Sequence, residues 1–509
     1  MGMSRTRSFL TVFILTIVGY SANIQARSLN AEDIAWLNRV TYAVNNQSLK
    51  DYEKLGRDAY LQQQLNAKTA ALPPEVSKIF DDEFVSFDDR MGEILDLRDE
   101  RKKAKGQDKA TLVKEIVSSG KDSVYQAQAR QLMRAIYSPN QLREQIVWFW
   151  LNHFNVYVQK SNIRWQIGDY EDRAIRPHAL GKFKDLLKAT LVHPAMLTYL
   201  DNSQSRKGNI NENYARELLE LHTLGVDGGY SQTDVKEVAR ILTGVGVNYS
   251  GTAPSKIPNG KADDFIAKHG FEFNPARHDY GEKKVLGATY KGAGWAEVEQ
   301  LIDQLSKSPA TAKHISTKLA NYFVSDSPPQ SLVKTMSEKF LATDGDIAAT
   351  LEVMFKSKEF IASLKSKYRY PTQFVIASLR HEYESKTITN YGPVVSWLRQ
   401  LGQPLYGYVT PNGYSLSASS WNSSGQLSQR FEIARALGGA IPQLFTEPGE
   451  KTKGKSAKPP IMKNDLFKTV YQPNLTQNTI QVLKKGSNTT LWNTLFLSSP
   501  EWQNREVSQ

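Results

Sequence analysis

Two glutamates three residues apart, Glu217 and Glu220, sit with Asn213, Arg216 and His222 in the stretch NENYARELLELHTLGVDGGYSQTDVKEVARILTG at 211–244. Crowded carboxylates of this kind can share acid/base work, because mutual repulsion raises one pKa and leaves a proton donor beside an acceptor. Used that way, the pair would catalyse a hydrolysis, with Arg216 as an anion clamp. On a straight helix turning about 100° per residue, Asn213, Arg216, Glu217 and Glu220 share one face. Tyr214, Ala215, Leu218, Leu219 and Leu221 take the other, and His222 falls near the centre of that apolar arc. His222 and Glu220 therefore cannot hold one ion from the same straight helix. Neither the i, i+4 histidines of a zinc helix nor the Glu-x-x-His of a di-iron bundle occurs here. The same pattern also describes a wet helix face on which Arg216 and Glu220 form an i, i+4 ion pair.

Other residues could complete such a site. Asn152, His153 and Asn155 lie in the apolar stretch WFWLNHFNV at 148–156, where each unpaired polar group would cost about 1–3 kcal/mol. Either they form a buried network that fixes helix packing, or His153 opens as a base on a pocket ringed by Trp148, Trp150 and Tyr157. Asp201, Asn202, Asn209, Asn211 and Glu212 supply the hard oxygens that calcium or another divalent cation takes, without the spacing of an EF-hand; turns and helix caps use the same residue types. The loop LGQPLYGYVTPNGYSLS, with Trp421 beyond it, offers Tyr406, Tyr408, Asn412, Tyr414 and Trp421 for stacking on sugar rings. His278 and Asp279 read as a hairpin turn, or else as a loop contributing to a site. H-E-x-x-H and G-x-S-x-G signatures are absent.

The elements that must position these residues are mostly helical. Apolar spacing predicts helices over 30–70, over 75–140 with a break at Lys105-Gly106, and through the wholly apolar stretch after Asn140. Further helices are expected at 211–224, 232–242, 295–310, 311–324 and 346–364, after Tyr370-Pro371, and near 425–438. Between about 248 and 292, glycines, prolines and short runs such as FEF and KKVLGATY predict an inserted β-hairpin. Residues 447–463 have the composition of a flexible loop. The expected architecture is mainly α: a single large multi-helix domain over 27–509 with a small β-hairpin insertion.

Residues 1–26 follow the pattern of an export signal, with Arg5 and Arg7, an apolar run from Phe9 to Tyr20, and small residues at Ala22 and Ala26. A soluble periplasmic or extracellular protein is expected, with no transmembrane span after cleavage. There is no cysteine, so disulfides, thiolate catalysis and cysteine-ligated metals are excluded. The formal charge of +12 directs attention to anionic envelope material such as acidic glycans, rather than to nucleic acid.

The 148–156 and 211–244 stretches, with PAMLTYLDN at 194–202 and HDYGEKKVLG at 278–287, resemble the exported bacterial family known as domain of unknown function 1800. The resemblance covers most of the mature chain and carries no catalytic residues. It implies a neighbour, since similar proteins are often encoded beside an exported family, domain of unknown function 1501, that is similar to sulfatases. Two functions are therefore expected: action on, or binding of, an anionic polysaccharide through a polar cleft between the 148–156 and 211–222 helices, or a non-catalytic scaffold for a sulfatase-like partner.

Overall fold

The computed structural model describes residues 29–67, 72–74, 76, 87–364, 366–446 and 458–504. The expected signal at 1–26 and the 447–457 part of the flexible loop lie outside the described residues. Local signals set most helix ends. Asn30 and Asp33 close a capping box that starts the helix Ala31–Val40, and Gly106 at φ +55° separates Phe87–Lys103 from Gly106–Tyr137. Ser231 and Asp234 form a second capping box at the head of Gln232–Ile241, and Pro371 stands in the first turn of Pro371–Glu382. Helix makes up 62% and strand 4% of the described residues, so the fold is mainly α.

Most of these helices share one continuous core that runs in sequence from Ile34 to Trp502, as a single domain requires, while Met91 and Ile94 of Phe87–Lys103 pack with Ile116 and Trp165 in a small satellite cluster. Its axis is Gln141–His153, in which every residue is buried. No helix among the described residues is long and apolar enough to cross a membrane.

Packing many short helices against one another buries their carbonyl ends, which have no partners within the helix. Arginines meet that need. Arg39 donates to Phe323 O at 2.6 Å and Ser363 O at 2.7 Å, and Arg380 donates to Ile136 O at 2.6 Å. Arg430 and Arg143 donate likewise to other backbone carbonyls, those of Arg369 in the loop before Pro371 and of Arg176. Arg176 itself bridges Glu144 and Glu171 at 2.8 and 2.5 Å inside the core.

The β insertion begins slightly earlier than the sequence suggests and holds two small sheets. Strands β1 (Val245–Val247), β2 (Ile266–Lys268) and β3 (Phe271–Phe273) pair antiparallel in the order β1-β3-β2. Strands β4 (Lys283–Val285) and β5 (Ala288–Tyr290) form a separate hairpin. Each tight turn is a pair of positive-φ residues, His269-Gly270 and Leu286-Gly287, which matches the twist of the strands they join. Beneath the hairpin, Lys283 and His278 converge on the carboxylate of Glu297, and all three side chains are buried. Burial raises the Glu297 pKa, but His278, Lys283 and the Gly292 amide together bring it down to about 2.

Removing one member of such a trio leaves a charge alone in the core, at a cost of about 3–5 kcal/mol. Lys283→Met is expected to lower the urea midpoint accordingly, and the double variant Lys283→Met/Glu297→Leu to recover most of that loss. A single variant as stable as wild type would show that the ion pair does not anchor the insertion.

Candidate functional site

The carboxylate segment starts as predicted and then changes pitch. Asn211 caps the helix Glu212–Glu217 through its side chain, 2.9 Å from the Asn213 amide. Residues Leu218–Thr223 continue as a π-helix, and Thr223 Oγ1 bonds back to Leu218 O at 2.6 Å. An ideal wheel therefore fails beyond Glu217, because each π turn holds an extra residue. Tyr214, Leu218, Leu219 and His222 are buried, Glu217 and Glu220 are half-buried, and Asn213 is exposed.

The predicted Arg216–Glu220 ion pair is not formed. Arg216 donates instead to Gln232 at 2.8 Å and lies 3.8 Å from Glu212, while Glu220 accepts from the Tyr230 hydroxyl at 3.2 Å. Gln232 at the head of the neighbouring helix Gln232–Ile241 and Tyr230 in the turn before it supply the new hydrogen bonds, and the change of pitch separates the i, i+4 positions. Glu217 has no hydrogen bond or ion pair among the described residues. Burial raises its pKa, the charge of Glu220 raises it further, and Arg216 opposes both. It lies close enough to Tyr199 for its charge to raise that phenol as well.

His153 belongs to a different cluster. It is 1% exposed, its Nε2 lies 3.1 Å from His222 O, and its ring is 6.1 Å from those of both His222 and His314. His314 Nε2 lies 3.2 Å from Leu221 O. Lys318, one turn beyond His314 on Pro309–Phe323, completes the group. Burial, followed by the charge of Lys318, pushes His153 well below its ordinary value, His222 to about 3 and His314 to about 4. Burial alone brings the Lys318 amine to about 8. The sequence reading missed His314 and Lys318, although their i, i+4 spacing between Ile315 and Leu319 was the available signal.

The aromatic candidates are mostly packed. Trp148 packs in a triangle of rings with Tyr322 and Tyr370, and Trp150 is wholly buried with its indole donating to Ala179 O at 2.9 Å. Tyr157 is half-buried. Asn152 bonds both ways with Tyr414, and Asn155 donates to the carbonyls of Tyr408 and Thr410, so the apolar helix staples the tyrosine loop. Gly413 is needed there, because a Cβ would meet Asn152 O at 2.1 Å. Tyr406 donates to Glu171 at 2.6 Å, Tyr414 to Pro404 O at 2.7 Å and Trp421 to Ser415 O at 3.0 Å. Asn412 is exposed. The cavity left between loop and helix is about 30 Å³, room for about one water molecule rather than a sugar ring.

The oxygen cluster is distributed among other partners. Asp201 is held by Lys160 at 2.7 Å, Asn211 caps its helix, and Glu212 accepts from Gln232 at 2.7 Å. Among the described residues no group of three or more His, Asp or Glu side chains is placed to hold one metal ion. His278 serves the buried trio under the hairpin, and Asp279 pairs with Arg240 at 2.8 Å.

Neutral histidines make stability depend on acid. An unfolded histidine titrates near ~6.5, whereas these rings stay unprotonated in the fold, so the unfolded chain binds more protons as pH falls below that value. Stability is therefore lost on acidification, by about 1.4 kcal/mol per pH unit for each fully buried ring. The melting temperature is expected to drop by several degrees from pH 6.5 to 4.5, and to drop less in His222→Gln. Equal slopes for the two proteins would contradict this origin.

No curated protein and no solved structure matches the chain. A family model described as protein of unknown function (DUF1800) matches residues 35–504. That span takes in the helical core, the β insertion and every candidate residue above, and the chain belongs to the DUF1800 family.

Proposed function

We propose that this is an exported protein that acts on or binds an anionic envelope or extracellular polysaccharide at the polar face around Glu217 and Glu220. The observation behind this reading is the Glu217 carboxyl, half-buried, unpaired and raised in pKa beside a second acid that is hydrogen-bonded to Tyr230. A carboxyl in that state can give a proton, one of the two roles that general acid/base hydrolysis of a glycosidic link requires. Tyr199 and Tyr230 border the pair with phenol groups. The formal charge of +12 suits an acidic polymer. Within this reading the tyrosine loop positions the apolar helix, and His153 is not placed with the carboxylates.

A second reading is favoured by the closed tyrosine loop, which leaves only about 30 Å³ between itself and the apolar helix. In it, the same face docks a protein partner, an exported sulfatase-like protein of the kind the resemblance implies, and the carboxylates form part of the contact.

The two readings separate in one experiment on the mature protein with Glu217→Gln and Glu220→Gln. The polysaccharide reading expects unchanged or slightly raised melting temperatures, since active-site acids are often kept at a cost to stability, with binding or turnover of acidic glycans at least ten-fold weaker. Melting temperatures several degrees lower in both variants, with glycan binding intact or absent throughout, would remove the acid/base role. Co-purification of a sulfatase-like protein that either variant abolishes would then establish the docking reading.

A further inference from the structure

We propose that His153, His222, His314 and Lys318 form a binding site for a compact oxyanion, the sulfate or phosphate group of an acidic glycan. This deepens the polysaccharide reading and rests on it for the identity of the larger ligand, but not for the binding of the group itself.

The cluster is assembled from three elements that share no local sequence: the end of Gln141–His153, the π turn Leu218–Thr223 and the face of Pro309–Phe323. His153 stands at the centre, 6.1 Å from each of the other two rings. Lys318 falls on the same helix face as His314, one turn on. His153 Nδ1 and His222 Nε2 are buried and have no hydrogen-bond partner. Groups in that condition are rare in folded proteins and call for a missing partner. Lys318, which is partly exposed, has no hydrogen bond or ion pair among the described residues.

The charges facing this cluster have one sign. The groups that act on the three rings are Lys318 and the rings themselves, and no carboxylate is among them. A partly buried cation beside unsatisfied imidazoles lacks only its counter-charge. An oxyanion supplies a negative charge for the ammonium and several acceptors for ring N–H groups, which neither a cation nor a neutral sugar would do. A metal ion is disfavoured by the ammonium, and by His314 Nδ1, which faces the backbone at Gly225. Access is graded: Lys318 and His314 are partly exposed, and His153 and His222 lie beneath them. The helix-end carbonyls of Leu221 and His222 would repel an anion, but His314 and His153 already engage them.

Binding should draw protons in, because an anion favours the charged imidazoles. Calorimetric titration of the mature protein with sodium sulfate, against sodium chloride at equal ionic strength, is expected to show one saturable site. Affinity should be at least ten-fold tighter at pH 6.0 than at pH 8.5, and at least ten-fold weaker in Lys318→Met. Inorganic phosphate and a sulfated monosaccharide, run in parallel, distinguish a phosphate-selective from a sulfate-ester site. His222→Gln, which removes one of the unpartnered ring nitrogens, repeats the test should Lys318→Met fail to fold. Absence of saturable heat in the wild type, or equal binding in the wild type and the folded variant, overturns the proposal. Because the probe is a free ion, failure of the Glu217 variants to affect glycans leaves this result unchanged.

Discussion

The constraint on which this fold turns is the accounting of helix carbonyls. Many short helices packed around one core present their unpaired ends to the interior rather than to water, and a chain without cysteine has no covalent means of holding them. Arg39, Arg380, Arg430 and Arg143 answer with guanidinium donors aimed at backbone oxygens. Each reaches far along the chain, Arg39 to Phe323 and Arg380 to Ile136. The planar fork of arginine suits this use, since it can serve two acceptors while its apolar stem packs. The basic composition, which by itself points to anionic partners, is thus partly spent inside the molecule.

Local grammar explains why the architecture was readable. Asn30 with Asp33, Ser231 with Asp234, and Pro371 mark helix starts by interactions within a few residues, and Leu286-Gly287 closes a hairpin in the same way. The buried helix Gln141–His153 announced itself by having no wet face. What sequence could not supply was the partner across space. Asn152 and Asn155 were expected to have partners, but nothing local says these are backbone groups of a loop more than 250 residues away. The tyrosines of that loop have the composition of a sugar platform, yet their hydroxyls are largely occupied by the protein itself.

The candidate site divides along the same line. Glu217 and Glu220 stand together because they are neighbours on one helix, which spacing reveals. His153, His222, His314 and Lys318 stand together because three elements meet, which spacing does not reveal. The acidic pair and His222 lie on the same short segment, which carries the acids along its solvent side and meets the basic cluster through His222 on its buried side.

The π turn at Leu218–Thr223 joins those two sides. It works as a phase shifter between two helical registers: the stretch that carries Glu217 keeps α pitch, and everything after it is rotated by the extra residue. A segment one residue shorter could run as a plain α-helix across the same span, because a π turn is where an α-helix takes up one extra residue. The relative orientation of the acidic and basic groups is therefore encoded in the length of the segment as well as in its residues, and a gain or loss of one residue there would rewire both at once.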